Sequence, residues 1–357
     1  MKRVPRRLTA AVLAVGAVAT IGAVMAGGAS ARKAASVQVC VLLPDTSSSV
    51  RWVQFDAPDM AAAFKKAGVK ASITNALNDP QKQKAQAAAC LAAGAKVVIE
   101  TMLDAGSALA IEKSFTDKGG KAIDYDRLVP NGPASAYITF DGNKVGRAQA
   151  TGVLAALKAE HKTKPVVAEL WGCQCDTNAA WFKSGNDDIL NPLFKNGTIV
   201  KGPQQFVPAW SANGEANGVF AQMLVKTNNK IDGVIAANDN IAGAVVAQLK
   251  AKHLKPIPLS GQDATVEGAQ YIIAGWQTGT VYKPVPLQAA AAAAAAIALL
   301  HGKKPATTTV RNNGKKNVPT VALPVTWITK SNVNKLYTDK FIKKSAVCVG
   351  EFKKFCK

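Results

Sequence analysis

The sequence predicts an α/β protein built as two doubly wound lobes with parallel sheets. Three observations carry that expectation. Short apolar runs alternate with amphipathic stretches along nearly the whole chain, the pattern of parallel strands covered by helices. The alternation comes in two successive series, and a length of 357 residues suits two domains of about 150 residues each. Hydrophobic residues make up 48% of the chain, enough to fill a core in each lobe.

The first series of strand-like runs is VQVCVLL (37–43), KASIT (70–74), KVVIE (96–100), KAIDY (121–125) and AYITF (136–140), with helix-like stretches at 58–67, 80–93 and 107–119. The second series is PVVAEL (165–170), TIVKG (198–202), DGVIAA (232–237), IPLS (257–260) and TVY (280–282), with helices expected at 143–160, 213–227 and 239–252. The lobes should meet near 139–146, where a strand ends and Asp141 or Asn143 can cap a new helix. The alanine-rich stretch 288–305 has high helix propensity, and its apolar character all round fits a buried helix better than a linker. Residues 307–329 read as strands and turns.

The N-terminus is a separate object. A basic segment (MKRVPRR) precedes an apolar run, and Ala29-Ser30-Ala31 fits a cleavage site, so residues 1–31 read as a secretory signal peptide. The alternative is a membrane anchor, because the run approaches the roughly 20 residues that a span needs. No cysteine follows the run closely enough for lipid attachment, so the sequence leaves open how an exported chain would be retained at a cell surface. Export would place the chain in a periplasm, cell envelope or extracellular medium.

Removing residues 1–31 takes away Lys2, Arg3, Arg6 and Arg7 and no acid, which lowers the formal charge from +21 to +17. The remaining lysines are scattered rather than clustered. This argues against nucleic acid as a partner and for a solvated basic surface facing an anionic cell envelope.

Six cysteines, Cys40, Cys90, Cys173, Cys175, Cys348 and Cys356, suggest disulfides in an exported protein. Cys348–Cys356 would close a small loop, Cys40–Cys90 would tie the first strand to a helix, and Cys173 and Cys175 would then remain as a tight ring. Other pairings are open on sequence alone. A zinc site is the rival, but His161, His253 and His301 all lie away from the cysteines. No metal and no cofactor is expected.

In open α/β sheets, ligands bind beyond the carboxyl ends of the strands. Those positions are rich in polar and aromatic residues here. Arg51 and Trp52 follow the first strand, and Arg127 follows KAIDY. Asp176 and Asn178 follow PVVAEL, Trp210 follows QQFVPAW at its end, and Asn238 follows DGVIAA. Asp263 follows IPLS, and Lys283 ends TVY. Acids and amides accept from hydroxyls, cations donate to ring oxygens, and indoles cover apolar ring faces, so the set suits an uncharged hydroxylated ligand.

Each residue also has a plainer role. Trp52 and Trp210 can be core aromatics, and Arg127 can be a structural partner of Asp126. Asp263 can cap a helix starting near Thr265, and Lys283 can be a surface lysine.

Several stretches carry a family resemblance: RW (51–52), YDRL (125–128), ITFDGNKVG (138–146), NNKIDGVIAANDNIAG (228–243), SGQDA (260–264), GTVYKP (279–284) and NNGKKNVP (312–319). On these the chain resembles the periplasmic sugar-binding proteins of ABC transporters, of the type I periplasmic binding protein kind, nearest their D-xylose-binding branch. The resemblance implies two Rossmann-like lobes joined by three crossover strands, with crossings near 140–144, 279–284 and 310–320. It implies an N-terminal lobe of 32–141 plus 283–315 and a C-terminal lobe of 142–282 plus 316–357. It also implies a monomer that holds a monosaccharide between the lobes and delivers it to a membrane permease. The nine strand-end residues become its ligand contacts, with Trp52 stacking. Two cysteines in GCQCDTN stand where the branch has small or apolar residues.

Ribose, glucose, galactose, arabinose and inositol are alternative ligands to xylose, and a sensor domain reporting to a chemoreceptor or kinase is an alternative role. A glycosidase using Asp126, Asp176 or Asp263 is disfavoured, because expected pairing of acids with Arg127 and Lys283 lowers carboxylate pKa values. No nucleophile-elbow, metal or phosphate-loop motif is present. A sugar-responsive repressor would need a DNA-binding segment where the export signal stands.

Overall fold

A computed structural model describes residues 36–210 and 215–356. The expected signal peptide lies outside the described residues, as do residues 213–214 of one expected helix.

The first lobe is built on a sheet of β1 (Val39–Leu43), β2 (Ala71–Asn75), β3 (Val97–Glu100), β4 (Lys121–Tyr125) and β5 (Ala136–Phe140). The helices between them are α1 (Ala57–Lys66), α2 (Pro80–Ala92) and α3 (Ala105–Thr116). The chain then continues through α4 (Gly142–Ala159), β6 (Val166–Trp171), α5 (Thr177–Lys195), β7 (Val200–Phe206), α6 (Asn217–Lys226), β8 (Gly233–Ala236) and α7 (Asp239–Ala251). The last part holds α8 (Val266–Ala274), β9 (Thr280–Tyr282), α9 (Val285–Leu300), β10 (Thr309–Asn312), β11 (Asn317–Leu323), β12 (Thr326–Ile328), α10 (Asn334–Thr338) and α11 (Lys344–Val347).

The larger sheet has the order β10-β11-β5-β4-β3-β1-β2, and the second is β7-β6-β8. Both are parallel apart from the β10–β11 hairpin. β9 pairs antiparallel with β12. The expected strand 257–260 is reduced to an isolated bridge between Val234 and Leu259, and a second bridge joins Gln262 to Val281.

The chain leaves the larger sheet after β5, returns to it between β9 and α9, and leaves again between β11 and β12. Two crossings fall where the resemblance put them. The third is displaced from 310–320 to about 324–325, because β11 pairs with β5 from Thr320–Tyr137 to Leu323–Phe140. Residues 317–323, expected with the second lobe, therefore run along the larger sheet. Its antiparallel partner β10 covers the edge that β11 would otherwise expose.

The alanine-rich stretch forms α9, which buries Ala289, Ala292, Ala293 and Ala296 against Ile99, Ile123 and Ile138. Its opposite face is open, and Leu287 is 53% exposed. Small side chains let this helix lie close on the sheet, so the helix is half-buried rather than enclosed. Caps follow the expected chemistry: Asp141, not Asn143, accepts from Lys144 N–H at the start of α4. The structure joins Cys40 to Cys90, Cys173 to Cys175 and Cys348 to Cys356 as disulfides. The last closes the tail, which packs on α8 through Val347, Phe352 and Ala269.

Candidate ligand-binding site

All nine residues expected at strand ends line one chamber. Ser48, Ser49, Asp126, Phe182 and Gln262 complete its wall. Strands of both sheets thus deliver their carboxyl-end residues to the same place, as open α/β sheets do.

Arg51 is the hub of the first-lobe half. It grips Asp56 with Nε and Nη2, both at 2.8 Å. Nη2 also donates to Gln288 Oε1 at 2.6 Å, and Nη1 donates to Asp126 Oδ1 at 2.8 Å. Four of its five N–H groups are thereby engaged, which leaves one on Nη1 without a protein acceptor among the described contacts. Burial works against the charge, but Asp56 and Asp126 hold the guanidinium protonated. Its Cζ lies 4.4 Å from the centre of the Trp52 ring, and Trp52 Nε1 donates to Ser48 Oγ at 3.1 Å. Trp52 is accordingly an oriented wall of the chamber rather than only a core aromatic.

One ion pair differs from the expected one. Asp126 is held by Arg51, not by its neighbour Arg127, because Asp126 sits at φ 66° and the chain turns between the two. Arg127 instead pairs with Asp176, Nε to Oδ2, at 2.9 Å, and donates from Nη1 to Met102 O. Burial opposes ionisation of Asp126, yet Arg51, Lys283 and Arg127 outweigh it and keep its pKa below the usual carboxylate value. Asp176 departs from the expectation of a lowered pKa. Burial and Asp126 raise it despite Arg127.

The second-lobe half is ordered by helix caps. Asp176 caps α5 by accepting from Asn178 N–H at 2.9 Å, and its other oxygen accepts from Trp210 Nε1 at 3.1 Å. Asn178 Nδ2 donates to Asp126 O and Oδ2 at 3.0 and 3.2 Å, linking the lobes directly. Asn238 caps α7 through Ile241 N–H and donates to Trp210 O. Trp210 lies so close to the backbone at Gly172 that a Cβ there would come within 2.1 Å of the indole. Glycine is needed at that point because the ring occupies the space of any side chain.

Lys283 and Asp263 form a pair at 3.0 Å, with side chains 9% and 12% exposed. Lys283 is therefore not a surface lysine. Asp263 is not a cap either: Thr265 caps α8 by accepting from Gly268 N–H. The bend that presents Asp263 comes from Asp263 and Ala264 themselves, at φ 95° and 52°. Gly261 serves a different purpose, since a Cβ there would meet Asp239 Oδ1 at 2.1 Å.

The Cys173–Cys175 ring forms the turn into α5, where Asp176 N–H donates to Cys173 O and Cys175 N–H to Cys173 Sγ. It abuts the chamber through Asp176. Among the described residues no group of three or more His, Cys, Asp or Glu side chains is arranged to hold a metal ion.

Residues the strand-end reasoning passed over have readable causes. Phe182 is four residues beyond Asn178 on α5, hence on the same helix face, and its apolar character alone suggested core. Ser48 lies in the polar run TSSSV, which has no periodicity to single it out. Asp126 was weighed only as a catalytic acid and as a partner of Arg127.

A family model described as a periplasmic binding protein domain matches residues 39–304. The chain belongs to the periplasmic binding protein family. It is 31% identical over 297 residues to the D-xylose-binding periplasmic protein of Escherichia coli, covering 83% of this chain and 88% of that one. Identity is 29% to the multiple sugar-binding periplasmic protein SbpA of Azospirillum brasilense, over 80% of this chain and 84% of the other.

A carbohydrate transporter solute binding protein from Chloroflexus aurantiacus, solved with D-glucose, superposes with a TM-score of 0.78 at 28% identity, covering 86% of this chain and 97% of that one. An ABC transporter solute binding protein from Clostridium phytofermentans shares the fold, with a TM-score of 0.80 at 24% identity over 87% and 99% of the two chains. As a periplasmic binding protein the chain is a binding receptor and not an enzyme. Its paired carboxylates hold cations and helix ends in place rather than moving protons.

Proposed function

We propose that this periplasmic binding protein captures a monosaccharide, D-xylose first among candidates, between its lobes and hands it to the membrane permease of an ABC transporter. One observation carries the reading. The chamber combines two indoles with acids, amides and cations drawn from both lobes, each held by a protein partner. Such a set matches a pyranose, which offers hydroxyls around its rim and apolar C–H faces. Preorganised polar groups also lose little freedom on binding.

Arg51, Trp52 and Arg127 would grip from the first lobe. Asp176, Asn178, Trp210, Asn238 and Asp263 would grip from the second, and Lys283 from the crossing between them. Ligand contacts made by both lobes favour the closed arrangement, which is the state a permease would recognise. The choice of xylose rests on the 31% identical relative named for that sugar, while D-glucose is the ligand named for the structural relative from Chloroflexus. Export of a monomer after removal of residues 1–31 completes the proposal.

A thermal-shift panel of pentoses, hexoses and polyols on the mature chain tests it. A true ligand at 100 times its Kd adds about 2.7 kcal/mol to stability. D-xylose should give the largest shift. No shift with any sugar would end the sugar reading, and a larger shift with D-glucose would reassign the ligand.

A further inference from the structure

A second chamber adjoins the first. Ser49, Arg51, Asp263 and Lys283 line both, so these four residues, the Lys283–Asp263 pair among them, stand between the two. The two chambers differ in chemistry. The far wall of the second is apolar: Phe55, Val266, Val285, Phe341 and Ile342. Phe55 and Phe341 stack with ring centres 4.6 Å apart and planes 10° apart, which stiffens this apolar wall. Val285, Phe341 and Ile342 are themselves buried at 2%, 7% and 9% exposure. Of the polar lining, Gln54 and Glu267 stand at the exposed rim, and Glu267 already accepts from Tyr271 OH at 2.9 Å. Thr265 Oγ1 is engaged with Asp239 and Gly268 N–H, and Asn240 Nδ2 donates to Ser48 O and Trp210 O.

A free monosaccharide fills the first chamber and has nothing to place against this wall. We propose that the second chamber is a subsite for a compact apolar substituent on the sugar, so that the receptor takes alkyl or aryl glycosides as well as free sugar. The inference rests on the sugar-binding reading of the first chamber. The sugar ring would keep its polar contacts there, while the substituent passes the Lys283–Asp263 pair and lies on the Phe55–Phe341 face. A second sugar unit is the poorer occupant, since the far wall has neither the fixed donors nor the acceptors that its hydroxyls would need.

Titration calorimetry on the mature chain tests this with D-xylose and D-glucose, each free and as the methyl and phenyl glycosides of both anomers. At least one phenyl glycoside should bind within about tenfold of its free sugar or more tightly. Val50→Asn and Ile342→Ala touch only the second chamber. Each should weaken that phenyl glycoside by about tenfold, for lost apolar contact, and leave the free sugar within about twofold. Binding of free sugar with every glycoside weaker by about a hundredfold or more overturns the subsite and leaves the receptor reading intact. Equal effects of the variants on glycoside and free sugar overturn it as well. Failure of all sugars, free and substituted, overturns both readings together.

Discussion

Lys283 Nζ lies 3.0 Å from Asp263 Oδ1, although α8 and the whole of β9 separate them along the chain. The backbone sets the pair, because Asp263 N–H donates to Val281 O at 2.9 Å and so fixes one segment beside the other. Asp263→Asn keeps the volume and removes the charge. Loss of a charge-assisted contact is expected to weaken sugar binding by about 10- to 100-fold, and the lysine left without its buried partner should lower stability by about 3 kcal/mol. Calorimetry and denaturant unfolding measure the two effects separately, and unchanged affinity removes Asp263 from the site.

Gly172 and Trp210 give a steric test. A methyl group at position 172 would overlap the indole, so Gly172→Ala must displace Trp210 from Asp176 and from the chamber. Affinity should fall by at least tenfold, about 1.4 kcal/mol, with a shift in tryptophan fluorescence. Wild-type affinity in this variant would show that Trp210 does not contact the ligand.

Asp239 predicts a pH dependence. Burial raises its pKa to about 7, although hydrogen bonds from Gln277 and Thr265 partly oppose the rise. The folded protein therefore holds a proton there that the unfolded chain releases near pH 4. Stability from this group is full below about pH 4 and falls as pH rises to about 7, above which it levels off. Asp239→Asn should abolish that component, so the difference in unfolding free energy between variant and wild type should grow from pH 4 to 7. A difference that stays flat with pH refutes the assignment.

The disulfides should differ in worth. Cys40 and Cys90 are 50 residues apart, whereas Cys348 and Cys356 are 8 apart. Loop-closure entropy puts removal of the first at about 4 kcal/mol and of the second at about 2.5 kcal/mol. Paired Cys→Ala variants compared by urea unfolding check the order. Replacing Cys173 and Cys175 by serine should cost sugar affinity more than stability, because their ring shapes the turn that carries Asp176. Peptide mass mapping without reduction verifies the three pairings.

Much of the site was legible because sheet proteins place ligands at strand ends. Once β1, β4, β6, β8 and β9 were recognised as apolar runs, Arg51, Arg127, Asp176, Asn238 and Lys283 stood out as the polar residues just beyond them. What pairs with what was legible only in part: the Lys283–Asp263 pair was expected and forms. Adjacency suggested Asp126 with Arg127, but a left-handed turn at Asp126 separates them and lets Arg51 take its place. The edge of the larger sheet was likewise misjudged. Residues 309–323 carry a turn signal, NNGKKN, that marks a hairpin without saying which sheet receives it.

By itself the sequence determined the order of strands and helices, the two series, the residues at strand ends and the helix caps, since these follow from periodicity and from local backbone chemistry. Only the tertiary structure decided the partners of Asp126 and Asp176, the placement of β11 beside β5, the closeness of Trp210 to Gly172 and the apolar chamber behind Lys283 and Asp263. Those depend on contacts between segments far apart in the chain. Their geometry is set by packing of the two lobes and the tail, and no local pattern of residues encodes it.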